Sequence, residues 1–140
     1  MARIEKANSD HVSQLLSLDH IAAVEEARAE FIARTVENQS CWVIEENHRT
    51  LGYSVMDYGF FGFGFVRMLY VTQEHRRRGL ASEMMLYLES ICKTVKLFSS
   101  TNQSNQPAQR IMEKLGYSKS GIIENLDDGD PELVYFKRLK

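Results

Sequence analysis

The chain lacks the features that mark several classes of protein. It has two prolines and two cysteines among 140 residues, and no Pro- or Gly-rich linker divides it, so we expect a single domain over residues 1–140. No apolar run approaches the roughly 20 residues that cross a bilayer. The charged start, Met-Ala-Arg-Ile-Glu-Lys, has no signal-peptide core. We therefore expect a cytoplasmic protein without a membrane partner.

An excess of charge of one sign is also missing. The net charge of −2 does not indicate general affinity for nucleic acid. The four histidines lack metal-ligand spacing, and Cys41 and Cys92 are far apart in apolar patterns. We expect the cysteines to be buried thiols and expect no metal site.

Hydrophobic periodicity predicts alternating strands and helices with some hairpins. The fold class is therefore α/β (α+β), with helices flanking a mixed, mostly antiparallel sheet. Ser9 or Asp10 is expected to cap the first helix, and Asn105 or Gln106 the last, which ends at Gly116. The other predicted helices cover 21–36 and 80–94. The first predicted strand begins at Ile4. The other predicted strands cover residues 41–45, 51–58, 65–71, 96–100, 122–123 and 133–139, and turns are expected at 47–49 and 59–64.

The segment from Phe65 to Cys92 carries the strongest functional signal. A hydrophobic strand ends in three arginines and a glycine, Arg76 to Gly79, and an amphipathic helical pattern follows at once. The first amides of a helix are unpaired, and its dipole favours an anion at the same end as the guanidinium groups. Gly79 and the small Ala81 leave room for a phosphate near the backbone. We infer a phosphorylated ligand.

Two motifs in this order resemble those of the GCN5-related N-acetyltransferase (GNAT) superfamily. Arg76-x-x-Gly79-x-Ala81 is similar to its nucleotide-loop signature, Gln/Arg-x-x-Gly-x-Gly/Ala. The run from Asn105 to Tyr117 is similar to Asn-x-x-Ala-x-x-x-Tyr-x-x-x-Gly-Phe. The resemblance covers nearly the whole chain and implies a GNAT-like acyl-CoA N-acyltransferase fold.

The resemblance also implies an activity and a set of site residues. Acetyl-coenzyme A would be the cosubstrate and donor, its pyrophosphate on the loop amides and its pantetheine arm paired with strand backbone. An amide near Val71 would bond the thioester carbonyl, and Ser100 and Asn105 would give polar assistance near the thioester. The implied cofactor-binding residues are Leu69, Tyr70, Val71, Arg76, Arg77, Arg78, Gly79, Leu80, Ala81, Ser82 and Asn105.

The chain departs from the family at two positions. Met112 replaces the tyrosine that often protonates the departing thiolate, and Ser100 occupies the place of a glutamate base found in bacterial ribosomal-protein N-terminal acetyltransferases. Freeing the lone pair of a lysine-like amine at pH 7 costs roughly 4–5 kcal/mol, so a proton acceptor is needed. Asp57, Glu30 and the acids of the 124–132 loop are all candidates.

Several alternatives stay open. The acceptor is a small-molecule or protein amine, and the acidic loop either attracts it or is simply solvated. The phenylalanines Phe60, Phe61, Phe63 and Phe65 either line its pocket or complete the core. A silent acyl-CoA-binding regulator is one different function, and a nucleic-acid-binding protein that uses the arginine turn is another. A homodimer through exposed strands is compatible with catalysis.

Overall fold

The strands of the protein form one mixed sheet. The computed structural model describes residues 2–140, within which there are seven strands and four α-helices. The strands are β1 (Arg3–Lys6), β2 (Cys41–Glu46), β3 (Arg49–Phe60), β4 (Phe63–Val71), β5 (Lys96–Asn102), β6 (Ser118–Ile123) and β7 (Glu132–Arg138). The helices are α1 (Val12–Leu18), α2 (Glu26–Glu37), α3 (Leu80–Ile91) and α4 (Gln106–Lys114).

The strand order is β1-β2-β3-β4-β5-β7-β6. β4 and β5 are parallel, whereas β1 with β2, β2 with β3, β5 with β7 and β6 with β7 are antiparallel. The predicted mixed, mostly antiparallel sheet with flanking helices is confirmed. None of the helices between residues 2 and 140 has the length and apolar character that a membrane span requires.

Residue contacts divide the chain into two compact units. The first comprises the described residues up to Met56 together with 68–87. Its core is built from α1, α2 and the inward-facing residues of β2 and β3, and Leu15, Ile32, Val43 and Tyr53 are fully buried there. Burying such apolar side chains is the main stabilising contribution to a core of this kind.

The second unit comprises residues 57–67 and 88–140. Burial alternates along β5: Leu97, Ser99 and Thr101 are buried, and the residues between them are half-buried. Successive residues of a strand face opposite sides of a sheet. One face of β5 is therefore covered and the other is partly exposed.

Two predicted helix starts are wrong. Asn8 caps the first helical segment: its Oδ1 accepts from the N–H of Asp10 at 2.9 Å, and its own N–H donates to Nδ1 of His11 at 3.0 Å. Ser9 and Asp10 lie inside the short 3-10 turn that follows. The second helix begins at Glu26 rather than at residue 21, because residues 19–25 form turns around a buried carboxylate described below.

The turn expected at 59–64 is shorter than predicted. β3 continues to Phe60 and β4 begins at Phe63, so only Phe61 and Gly62 connect them. Both have positive φ, 54° and 83°, as a two-residue type I′ hairpin requires. The turn predicted near Asn47 is confirmed and has the same positive φ signature.

Candidate functional site

At the end of β4, the backbone N–H and C=O groups of Val71 are directed away from the neighbouring strand β3. The N–H of Thr72 donates to the carbonyl of Leu51 on β3 at 2.8 Å. Neighbouring residues of a strand direct their N–H and C=O groups to opposite sides, so those of Val71 point away from β3. The last residue of β4 in the ladder with β5 is Val66. The amide expected to bond the thioester carbonyl thus lies beyond that ladder and points away from β3.

The loop after β4 turns through two residues with positive φ. Arg77 and Gly79 adopt positive φ, 67° and 81°, and a Cβ built on Gly79 meets no heavy atom within 4 Å. The first main-chain bond of α3 runs from the N–H of Glu83 to the carbonyl of Gly79 at 2.9 Å. The preceding amides, those of Leu80 to Ser82, are left without helical partners at the positive end of the helix dipole.

The three arginines of this loop have different surroundings. Nε of Arg76 donates to the carbonyl of Val71 at 2.9 Å, and its guanidinium lies 5.5 Å from the ring centre of Tyr70. Arg78 binds both carboxylate oxygens of Glu46, at 3.0 and 2.8 Å. That hydrogen bonding lowers the pKa of Glu46. Arg77 is exposed and has no side-chain partner among the described residues. It is therefore the arginine best placed to meet an anion.

A cavity of about 720 Å³ lies within the first unit. Its lining comes from the end of α1, the turn between β2 and β3, and the end of β4, and includes His20, His48, Arg49, Tyr70 and His75. Nδ1 of His20 lies 2.7 Å from the hydroxyl of Tyr70. This cavity is not predictable from the sequence, because no contiguous motif links its three segments.

A buried ion pair fixes the connection between α1 and α2. Oδ2 of Asp19, a residue with no exposed surface, accepts from the hydroxyl of Tyr53 at 2.6 Å and from Nε of Arg28 at 2.9 Å. Oδ1 accepts from the amides of Ile21 and Ala22. Burial alone would raise the pKa of Asp19, but the Tyr53 bond and the Arg28 charge hold it below its ordinary value. The connection that precedes α2 is thus held in one conformation.

The second unit holds the two predicted catalytic residues. Oγ of Ser100 donates to a carboxylate oxygen of Glu132 at 2.7 Å. Asn105 caps α4, and its Oδ1 accepts from the amide of Ala108 at 3.2 Å. The predicted cap and the αL residue Gly116, with φ of 92°, are confirmed. The roles of Ser100 and Asn105 in catalysis stay predictions.

The candidate bases named from the sequence differ in availability. Asp57 is paired with Arg67 at 2.5 Å, and Glu30 is exposed on α2. In the acidic loop, Asp130 accepts from the backbone and hydroxyl of Ser104. Asp57 is thus paired with a cation, Asp130 is bonded within its loop, and Glu30 is exposed. None of the three is a half-buried carboxylate without such bonds.

One histidine lies between two carboxylates. Nε2 of His11 is 3.7 Å from Glu5 and 3.6 Å from Glu45. Nδ1 of the same ring accepts the N–H of Asn8, so in the neutral ring the proton is on Nε2. In that tautomer Nε2 carries a hydrogen and has no lone pair for a metal.

Comparison with known proteins identifies the family. The model of the acetyltransferase (GNAT) family matches residues 8–117. Among curated proteins, none matches the chain by sequence. A crystal structure of a GNAT-family acetyltransferase from Bacillus cereus is 33% identical, with a TM-score of 0.91 over 99% of this chain and 97% of that one.

More distant structures share the fold. A GNAT-family acetyltransferase from Streptococcus agalactiae is 21% identical, with a TM-score of 0.82 over 98% of this chain and 95% of that one. The yncA protein from Salmonella typhimurium, solved with its cofactor acetyl-CoA, is 16% identical, with a TM-score of 0.77 over 99% of this chain and 94% of that one.

Proposed function

The chain belongs to the acetyltransferase (GNAT) family and is an acyltransferase, and from this premise we propose that it transfers an acetyl group from acetyl-coenzyme A to a primary amine. The amine attacks the thioester directly, so no acyl-enzyme forms. In this proposal the loop 76–82 binds the pyrophosphate, and the backbone of Leu69 to Val71 at the end of β4 binds the pantetheine arm.

The conformation of the loop at Gly79 carries this proposal. Three features meet there: open space in front of a positive-φ glycine, the first amides of α3, which have no helical partner, and the exposed Arg77, whose side chain has no partner within residues 2–140. Unpaired amides and a guanidinium together favour a phosphate group. The residues therefore fit the diphosphate of coenzyme A, and the solved complex of yncA with acetyl-CoA supports the same donor.

The backbone of β4 supplies the second part of the mechanism. The N–H of Val71, directed away from β3, donates to the thioester carbonyl and stabilises the negative charge that develops on its oxygen during attack. One such donor is worth roughly 3–4 kcal/mol in hydrolases whose oxyanion hole has been tested by mutation. Because the donor is a main-chain amide held in a strand, it needs no reorganisation as the charge develops.

Ligand-induced stabilisation tests donor binding. In thermal unfolding with acetyl-CoA, coenzyme A, ATP and NAD, only the two coenzyme A species are expected to raise Tm appreciably, because binding to the native state alone stabilises it. Gly79→Glu should abolish the shift, since it places a carboxylate against the phosphates. Gly62→Glu is the matched control: Gly62 also has positive φ, 83°, and open space, but it lies in the β3–β4 turn. A larger shift with ATP or NAD would reject the donor.

A product assay then separates an enzyme from a silent binding domain. The protein is incubated with labelled acetyl-CoA and a panel of primary amines, and acetylated amine is measured by mass spectrometry. Transfer to at least one amine is the expected result. Binding of acetyl-CoA without any acetylated product would favour the regulator instead.

A further inference from the structure

One open face of the second unit combines an aromatic row with a carboxylate. Phe98 and Ser100 are two residues apart on β5 and so lie on the same face. Phe98 pairs with Phe136 on β7, and Glu132 lies four residues before Phe136, on that same face. Phe65 on β4 pairs with Phe98 and joins the row.

The phenylalanines contact one another across the strands. The ring centres of Phe60 and Phe65 are 4.8 Å apart, those of Phe60 and Phe98 are 5.2 Å apart, and those of Phe98 and Phe136 are 5.9 Å apart. Phe60, Phe98 and Phe136 are only half-buried. Phe60, Phe98 and Phe136 therefore form a partly solvent-accessible aromatic surface that contacts the buried Phe65. Aromatic π-faces attract apolar bodies and cations.

Glu132, which is half-buried on β7, differs from the two ion-paired acids of this unit. Asp57 is neutralised by Arg67, and Glu89 by Lys137 at 2.9 Å. Within residues 2–140, the carboxylate of Glu132 accepts a hydrogen bond from the neutral hydroxyl of Ser100 and has no ion-pair partner. A half-buried carboxylate with no cationic partner is available to pair with the ammonium group of a ligand or to accept a proton from it.

The carboxylate of Glu132 lies where the hydrogen-bonded ladder between β4 and β5 ends. The last residue of β5 in the ladder with β4 is Ser99, so Ser100 is the first residue of β5 beyond it. The Ser100 hydroxyl holds the carboxylate of Glu132, a residue of the neighbouring strand β7, at that point. Ser100 is also the predicted site residue that occupies the place of a glutamate in the related subgroup.

We infer that the aromatic face ending in the Ser100–Glu132 pair binds the acceptor, a primary amine with an apolar or aromatic body, and that Glu132 takes the proton from its ammonium group. This inference rests on the proposed function. The Glu132 carboxylate first accepts one proton and passes it to solvent. The neutral amine then forms the C–N bond as the C–S bond breaks, and the second proton leaves with the thiolate to give free thiol.

Steady-state kinetics of full-length variants test this role, with acetyl-CoA and 2-phenylethylamine as the probe. Glu132→Gln should lower kcat at pH 7 by about 100-fold or more, the usual size of a general-base contribution, with KM for acetyl-CoA unchanged. The deficit should shrink as the pH rises from 7 to 9.5, because more of the amine is then neutral without help. A merely structural loss would not recover with pH. Glu37→Gln, in an exposed acid at the end of α2 that has no part in the proposed site, should keep the wild-type rate.

Two further variants guard against misfolding and test the surface. Glu132→Asp keeps a carboxylate and should be faster than Glu132→Gln. Phe98→Leu should raise KM for the aromatic amine more than it lowers kcat. Wild-type-like turnover by Glu132→Gln would overturn this inference and leave the proposed function intact. A wild-type protein that binds acetyl-CoA but acetylates neither the probe nor any amine of the panel would overturn both, as would failure to bind acetyl-CoA.

Discussion

Replacing Asp19 by asparagine should destabilise the protein strongly although it changes the shape of the side chain little. The carboxylate is fully buried and accepts from Tyr53, Arg28 and the amide of Ile21. In asparagine, an NH₂ group replaces one of the two carboxylate oxygens. Whichever way the carboxamide is turned, this NH₂ group then faces a hydrogen-bond donor. It also leaves the guanidinium of Arg28, whose side chain is 18% exposed, without a counter-charge. Removing one partner of a buried pair costs about 3–5 kcal/mol.

Urea unfolding measures this cost. We expect the free energy of unfolding of Asp19→Asn to fall by about 4 kcal/mol, a large part of the ~5–15 kcal/mol of a typical domain. Tyr53→Phe is the matched control, since it removes the hydroxyl that donates to Asp19 and accepts from Arg28 but leaves the ion pair in place. It should cost only about 1.5–3 kcal/mol. If Asp19→Asn lost less than about 1 kcal/mol, below even a single such bond, the buried network would not stabilise the fold as argued.

The pH dependence supplies an independent check. The pKa of Asp19 is lowered in the folded protein, whereas an unfolded aspartate titrates near ~3.9. The extra stability is therefore present above about pH 4 and is lost as the pH falls through the folded pKa. The gap between wild type and Asp19→Asn should be constant near neutrality and narrow in acid. A gap that widened in acid would contradict the sign of the shift.

Three other perturbations have defined outcomes. Gly52→Ala should lower the free energy of unfolding by about 2 kcal/mol or more, because a Cβ there would lie 2.4 Å from the carbonyl oxygen of Tyr70 and overpacking typically costs 1–3 kcal/mol; urea titration measures it. Asn105→Ala should cost about 1 kcal/mol by the same assay through loss of the cap to Ala108. Cys41 should resist iodoacetamide in the native protein and react in urea, since burial raises the pKa of its thiol to about 12; mass spectrometry reports the adduct.

The sequence predicted best where the signal is contiguous. The loop from Arg76 to Ala81 has its glycine, its arginines and the start of its helix within six residues, and in the structure Gly79 has positive φ and α3 begins at Leu80. The cap at Asn105 and the αL residue at Gly116 are likewise set by neighbours along the chain. Such features follow from local backbone geometry.

Features that depend on distant partners were not predictable. The helical periodicity from residue 21 onward gave no sign that the Asp19 carboxylate would bind the amide of Ile21 and delay the helix to Glu26. Nor did any spacing show that Ser100 would meet Glu132, 32 residues further on. That contact is set by the register of β5 with β7, in which Ser100 lies opposite Val134. A one-residue slip would move a side chain to the other face of the sheet.

The proton balance of the proposed reaction accounts for the departure from the family at position 112. Met112 is 4% exposed, so this side chain packs into the core and has no proton to give. A primary ammonium group must lose two protons to become an amide, and with Glu132 taking the first, the second is available to the departing thiolate. A free thiol titrates near ~8.5, so the thiolate gains a proton close to neutrality without a side-chain acid. A carboxylate base and a missing tyrosine are therefore compatible within one mechanism, because the amine itself supplies the proton that the tyrosine would have given.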